Sequence, residues 1–258
     1  MKVALDPTPF HHDYSLLELP RVVADLGYEY LQLTPHVDMI PFFNHPKADD
    51  ALVTEFRKAC ASAGVGIASV LPVLRWSGPD EDAREAAVRY WKRAIQITVD
   101  LGVNVMNTEF SGRPEKAEES ERAFYRSMEE LLPIIEREGI DVLIDPHPDD
   151  FVEDGLAAIR TIRGVNSKNL GMVIVACHQF HMGGDLPAIM EPPATWSVSY
   201  MWQTPWIITV PTDFATSPIR QAMPFECINT SKSGTETSTG TNSSAGSANS
   251  ASTIVTTP

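Results

Sequence analysis

Two rhythms alternate along the first 175 residues. Long stretches carry apolar side chains at helical spacing. Between Asp80 and Asp100, Ala87, Tyr90, Trp91, Ala94, Ile95 and Thr98 fall on one stripe, with charges elsewhere. Glu118 to Glu138 repeats the design around Phe124, Met128, Leu131, Leu132 and Ile135. Short runs rich in β-branched and aromatic residues separate these stretches, and they are too short for helices. They are Lys2–Leu5, Tyr28–Leu33, Val65–Val73, Val103–Thr108, Ile140–Asp145 and Leu170–Ala176. Four of them follow directly on Gly27, Gly64, Gly102 and Gly139, glycines spaced 37, 38 and 37 residues apart. A glycine there suits the left-handed residue that ends a helix. Ser15 and Glu18 have the spacing of a capping box, and Pro20 is tolerable only in the first turns of the helix that follows.

Strand, helix, strand, helix at a period near 37 predicts parallel βα units. Eight such units need roughly 290 residues, and the chain has 258. The expected fold is an α/β (β/α)8 TIM barrel, incomplete at about six βα units. An open doubly wound sheet is the alternative. The glycine-rich turn that such a sheet places after its first strand is replaced by Asp6-Pro7-Thr8-Pro9. Residues 1–190 are therefore read as a partial barrel domain and 191–258 as a tail. Past Met190 the periodicity stops, Glu191-Pro192-Pro193 breaks any helix, and from Thr230 onward Ser, Thr, Gly, Asn and Ala dominate. Such a composition predicts disorder, because it buries too little apolar surface to offset its ordering entropy.

Composition narrows the partners. The net charge of −14 argues against nucleic acid and against an anionic membrane, both of which want a positive face. Three cysteines, Cys60, Cys177 and Cys227, form neither a disulfide framework nor a Cys-x-x-Cys pair, so a reducing cytoplasm is expected. No stretch approaches the ~18 apolar residues of a membrane span.

In a TIM barrel the chemistry sits at the carboxyl ends of the strands. The ends here are Asp6 with His11 and His12, then Thr34-Pro35-His36, Arg75-Trp76-Ser77, Asn107-Thr108-Glu109, Asp145-Pro146-His147 and His178-Gln179-Phe180-His181. Carboxylates and imidazoles gathered in this way suit a divalent metal site. Each has a plainer reading as well. A histidine after a strand serves equally as a loop residue, Asp145 could cap its turn, and Glu109 could pair with Arg113.

At these positions the chain resembles the sugar phosphate isomerase/epimerase family, with its xylose-isomerase-like barrel, and is most similar to the inositol-catabolism branch. The matching stretches are Asp6-Pro7-Thr8-Pro9-Phe10-His11-His12, Asn107-Thr108-Glu109-Phe110-Ser111-Gly112, Asp145-Pro146-His147-Pro148 and His178-Gln179-Phe180-His181-Met182-Gly183-Gly184. The resemblance implies a divalent metal, Mn²⁺, Mg²⁺ or Co²⁺, with Asp145, His178 and Glu109 as ligands. Many members carry Asp where His178 stands. It implies Asp145 and Glu109 as catalytic carboxylates, and His12, Trp76, His147 and His181 as substrate contacts. The implied reaction is isomerisation or epimerisation by proton removal beside a carbonyl. The expected partner is a small-molecule sugar or cyclic polyol, and the chain could form a homo-oligomer. Other readings are a metal-dependent lyase or deglycosidase subunit, or a degenerate barrel that only binds.

The tail has a second explanation. Codons compatible with residues 199–209, regrouped so that each last base joins the next two, encode Val-His-Val-Ala-Asp-Thr-Met-Asp-His-His, which resembles the family's seventh strand. Codons for residues 238–245 regroup in the same frame to Asn-Trp-Asp-Glu-Phe-Phe-Gly, similar to the start of a late barrel helix. The expectation is a shifted reading frame near Met190 that removes strands seven and eight, leaves two open sheet edges and impairs activity.

Overall fold

The computed structural model describes residues 2–189, 198–202 and 252–256. Six βα units form in sequence order, as the glycine punctuation predicts. The strands are β1 (Lys2–Asp6), β2 (Tyr30–Leu33), β3 (Gly66–Val70), β4 (Val105–Glu109), β5 (Asp141–Asp145) and β6 (Leu170–Val175). The helices between and after them are α1 (Leu19–Asp25), α2 (Asp50–Ala63), α3 (Glu81–Asp100), α4 (Ala117–Glu138), α5 (Gly155–Val165) and α6 (Ala176–His181), followed by the single turn α7 (Leu186–Ile189). Neighbouring strands from β1 to β6 all pair in parallel.

Gly27, Gly64, Gly102 and Gly139 all adopt positive φ, between 65° and 85°. Each ends a helix and turns the chain into the next strand, so the repeat in the sequence is a repeat of helix stops. Asp49, Asp80 and Asp154 cap α2, α3 and α5 by accepting backbone N–H groups of Leu52, Ala83 and Ala157. The Ser15–Glu18 pair forms, with both the backbone N–H and the hydroxyl of Ser15 donating to Glu18 Oε2 at 2.9 and 2.6 Å. It closes a turn ahead of α1 rather than starting the helix, which begins at Leu19 with Pro20 in its first turn.

The expectation of two open edges is corrected. A seventh strand, β7 (Val198–Trp202), pairs in parallel with β6. An eighth, β8 (Ser252–Thr256), runs antiparallel to both β7 and β1 and closes the ring. The run Ser-Thr-Ile-Val-Thr has the β-branched content of a strand, and pairing it with both edges satisfies backbone groups that would otherwise lie bare. The rest of the tail, residues 191–197, 203–251 and 257–258, lies outside the described residues, and so does the disorder expected there.

The main core packs between the sheet and the helices. Leu31, Val70, Met106, Val142, Ile144 and Ile174 meet Val23, Phe56, Trp91, Leu131, Ile135 and Ile162. A second, smaller cluster joins Ala4, Leu143, Val173 and Val175, at alternate strand positions that face the other side of the sheet, to Cys177 of α6.

Candidate active site

Glu109 and Asp145 end β4 and β5 and are direct register partners. The pleat therefore puts two carboxylates side by side at the rim of the barrel. Asp145 is 5% exposed, and its Oδ2 lies 2.8 Å from Nδ1 of His178, on α6 just past β6. Its other oxygen, Oδ1, is buried with no hydrogen-bond partner. His147, two residues beyond Asp145, sets its ring edge-on to that of His178 at 4.5 Å. Its Nδ1 donates to the Pro148 carbonyl at 2.6 Å, and its Nε2 stands 4.0 Å from Glu109 Oε1. A carbonyl only accepts, so the proton of a neutral His147 sits on Nδ1 and Nε2 faces Glu109 as an acceptor.

Burial governs the protonation of this group. It raises Asp145 well above the usual carboxylate range, the charge of Glu109 adds to the rise, and His147 opposes it. It also raises Glu109, against the pull of His147, His178 and Arg75. It lowers His178, against Glu109. The Asp145–His178 contact is thus a hydrogen bond between two groups that burial drives toward their uncharged forms, and not a strong ion pair.

The backbone around these groups is held in place. Gln179 is fully buried. Its Oε1 accepts the Gly155 N–H at 2.9 Å, and its Nε2 donates to the carbonyls of Pro146 and Glu153. It joins the loop after β5 to α6. Ser111 and Asp149 take positive φ of 58° and 70°, a conformation that costs a non-glycine residue energy and that recurs at functional sites. Asp150, next to Asp149, is 6% exposed, with Oδ2 buried and unpartnered. Burial pushes Asp150 up to about 8, the charges of Glu109, Asp145 and Glu153 contribute, and a hydrogen bond from the Ser111 N–H opposes them.

A second polar group lies at the ends of β1 and β2. Asp6 Oδ1 accepts the Thr8 N–H at 2.8 Å and the Thr8 hydroxyl at 2.6 Å. The hydroxyls of Thr8 and Thr34 are 2.9 Å apart, and Thr34 Oγ1 lies 3.5 Å from His11 Nε2. The rings of His11 and His36 meet edge-on at 4.9 Å. Burial, with the neighbouring His36 and His12, lowers His11 to about 4. Burial also lowers His36, and it raises Asp6 against its three hydrogen bonds to Thr8 and Thr34.

The structure brings together four of the residues expected from sequence: Glu109, Asp145, His147 and His178. Expected as a three-ligand metal set, Glu109, Asp145 and His178 do not converge as one. Among the described residues no three His, Cys, Asp or Glu side chains form a metal-binding group. The orphaned Asp145 Oδ1 does have the character of a coordinating oxygen, so the donor chemistry suits a cation at this carboxylate and its imidazole partner.

Trp76 is a correction. Expected at the substrate, it is fully buried, stacks on Trp91 at 4.3 Å, and donates its indole N–H to the carbonyls of Phe110 and Glu109. It belongs to the core and steadies the backbone that carries Glu109. His12 is exposed in the turn before α1, while its neighbour His11 joins the Asp6 group. His181 is exposed at the end of α6, its ring 6.3 Å from that of Phe180. Arg113 pairs with Glu115. Asp150 escaped the sequence reading because Pro148-Asp149-Asp150 has the composition of an ordinary turn.

Among the described residues no helix is long and apolar enough to cross a membrane. Similar folds recur among solved structures. A D-psicose 3-epimerase from Clostridium cellulolyticum H10, solved with D-tagatose, is 16% identical at a TM-score of 0.56, over 65% of this chain and 60% of the epimerase. The chain thus spans under two thirds of that enzyme's length. A family 2 AP endonuclease from Brucella melitensis is 19% identical at a TM-score of 0.61, over 76% of this chain and 77% of its own. An IolI protein with a bound zinc atom is 17% identical at a TM-score of 0.58, over 77% and 73%. No curated protein sequence matches. At these identities the likeness is one of fold. The sequence itself matches the xylose isomerase-like TIM barrel family over residues 20–204, most of its length, and the chain belongs to that family.

Proposed function

We propose that the chain derives from a metal-dependent isomerase or epimerase of a sugar, inosose or related polyol. The observation that carries this reading is the register pair Glu109–Asp145, with His178 bonded to Asp145 at 2.8 Å. Two adjacent carboxyl groups, Asp145 buried and Glu109 half-buried, both with raised proton affinity, can take a proton from the carbon beside a carbonyl and return it. Return to the opposite face of that carbon epimerises, and return to the neighbouring carbon isomerises. Asp145 and His178 would hold a divalent ion, Mn²⁺, Mg²⁺ or Co²⁺, with Glu109 as third donor or as base. The ion would supply Lewis-acid polarisation of the substrate carbonyl. His147, beside both carboxylates, would orient the substrate.

We further propose that activity is impaired because the C-terminal part is read out of frame, which would remove ligands supplied by late strands. The antiparallel direction of β8 supports this, since a (β/α)8 barrel closes with parallel strands. A degenerate barrel that binds without catalysis is the competing reading, and the lack of a three-ligand metal group among the described residues favours it.

The test is metal content together with exchange. Purified chain that takes up stoichiometric Mn²⁺, loses it on Asp145→Ala and exchanges a keto-sugar's α-hydrogen in D₂O supports the enzyme. A stable fold with neither metal nor exchange supports the binding module. Sequencing the coding DNA decides the frame, and codons that do not regroup to a barrel-like sequence sink that part of the proposal.

A further inference from the structure

Between α4 and α5 lies a cleft of about 460 Å³ that the chemistry at the strand ends does not use, since none of Glu109, Asp145, His147 or His178 lines it. Helical spacing builds both walls. Ala117, Glu121 and Tyr125 recur every fourth residue along one face of α4, and Ala157, Arg160 and Thr161 share one face of α5. The walls meet at one end, where the Tyr125 hydroxyl donates to the Thr161 carbonyl at 3.2 Å. Gly164 allows this approach, because a Cβ there would run into the Tyr125 hydroxyl. Toward the helix N-termini the walls carry only the methyl groups of Ala117 and Ala157, which leave the space open. Phe151 and Val152, from the loop before α5, add buried apolar surface to the lining.

The two walls carry opposite charges that do not meet. Glu121 on α4 and Arg160 on α5 are both exposed, and neither belongs to an ion pair among the described residues. Glu118, also in the lining, is tied to Arg122. A carboxylate and a guanidinium that line one cleft without touching leave a gap that a ligand bearing both charges can bridge. We propose that the cleft binds a free α-amino acid with an apolar side chain. Its carboxylate meets Arg160, its ammonium meets Glu121, and its side chain lies against Tyr125, Phe151 and Val152.

Size and shape agree with that class. The volume falls in the range of small-molecule sites, roughly 300–1,000 Å³. The Tyr125–Thr161 hydrogen bond closes one end, whereas an extended peptide needs a groove open at both. A neutral sugar offers no charge to either wall, so the ligand differs in kind from the substrate proposed at the strand ends, and the inference does not depend on the isomerase reading. The cleft is still in touch with that rim. Phe151 donates its N–H to the Ser111 carbonyl at 3.2 Å, and its ring meets the Phe110 ring edge-on at 5.5 Å. A ligand resting on Phe151 is one side chain away from the residue that follows Glu109.

The experiment follows the methyl signals of the full chain labelled with ¹³C-methyl alanine, the two lining alanines being assigned with Ala117→Ser and Ala157→Ser. L-leucine and L-phenylalanine are titrated to tens of millimolar. Isopentylamine, which lacks the carboxylate of leucine, and N-acetyl-L-leucine, which lacks its ammonium, serve as single-charge probes. The expected result is a saturable shift of the Ala117 and Ala157 methyls with at least one amino acid, and weaker binding of both single-charge probes. Arg160→Gln and Glu121→Gln, at exposed positions that the fold tolerates, should each weaken the amino acid by about two- to fivefold, the range of one exposed ion pair. Ala157→Phe fills the cleft and should remove the Ala117 shift, with the circular dichroism spectrum unchanged.

No saturable shift of either methyl with leucine or phenylalanine overturns the inference. Equal or tighter binding of a single-charge probe overturns it as well, as does unchanged affinity in both Arg160→Gln and Glu121→Gln. Asp145→Asn separates the cleft from the strand ends: the methyl shifts should persist, and their loss would place the amino acid at the rim instead.

Discussion

Asp145 Oδ2 and His178 Nδ1 are 2.8 Å apart, while the other oxygen of the same carboxylate is buried with no partner. The contact orients the carboxylate and leaves one oxygen available for chemistry. Asp145→Asn keeps the volume and removes one of the two carboxyl groups proposed to move the proton. In a preparation that exchanges substrate hydrogen, the rate should fall by roughly a hundredfold to ten-thousandfold, the range of general base catalysis, with the circular dichroism spectrum unchanged. Retained exchange would move the base elsewhere, with Glu109 as the first residue to test.

Asp150 provides a stability test. Its affinity for protons is higher in the fold than in the unfolded chain, since burial and neighbouring carboxylates push it up to about 8. The folded state therefore binds more protons than the unfolded state above the ordinary aspartate range. The stabilisation is full below that range and is lost as pH rises toward 8. Asp150→Asn cannot ionise. Urea midpoints across pH 5 to 9 should show the wild type losing stability on the alkaline side and the variant losing less.

His11 works in the opposite direction. Its folded affinity for protons is depressed to about 4, so the unfolded chain binds the proton first. The stability it contributes is present above the ordinary histidine range near 6.5 and disappears as pH falls through 4. His11→Gln should flatten the acid limb of the stability profile between these values. An unchanged limb would mean that His11 is not buried as described.

Trp76 separates core from site. Its ring is fully buried against Trp91 and Phe124. Trp76→Ala should cost about 3–5 kcal/mol, as large-to-small core changes do. Trp76→Phe keeps one aromatic ring in the core and loses the indole N–H and part of the stacked area on Trp91, so the effect should appear in Tm and not in KM. A KM effect at unchanged Tm would restore it as a substrate contact.

Much of this architecture was legible in the chain because helix stops are local. Gly27, Gly64, Gly102 and Gly139 each need only their own backbone to mark a boundary, and each does. The register of β4 against β5, which sets Glu109 beside Asp145, follows once those boundaries are known. What was not legible depends on direction. His11 and His12 are adjacent, and a tight turn decides which one faces Thr34. Trp76 follows a strand end as a substrate contact would, yet its ring turns inward onto α3. Asp150 reads as turn chemistry until the fold buries it beside the Ser111 N–H. The strand at Ser252–Thr256 sits in a Ser- and Thr-rich stretch whose composition hid four consecutive β-branched residues, Thr253 to Thr256, and one of its two partners, β1, is nearly the whole chain away.

The direction of that last strand has a consequence for how the rim can be changed. Ser252 pairs with Asp6 and Thr256 with Lys2, so β8 enters at the rim that carries Asp6, Glu109 and Asp145 and leaves at the floor. Seven strands deliver the chain upward, and whatever follows each of them is free to carry chemistry. The eighth is an inlet. In this one sector the rule of placing functional residues after a strand is inverted: a side chain grafted beside Asp6 would have to precede Ser252, and lengthening the chain after Thr256 would add nothing to the rim.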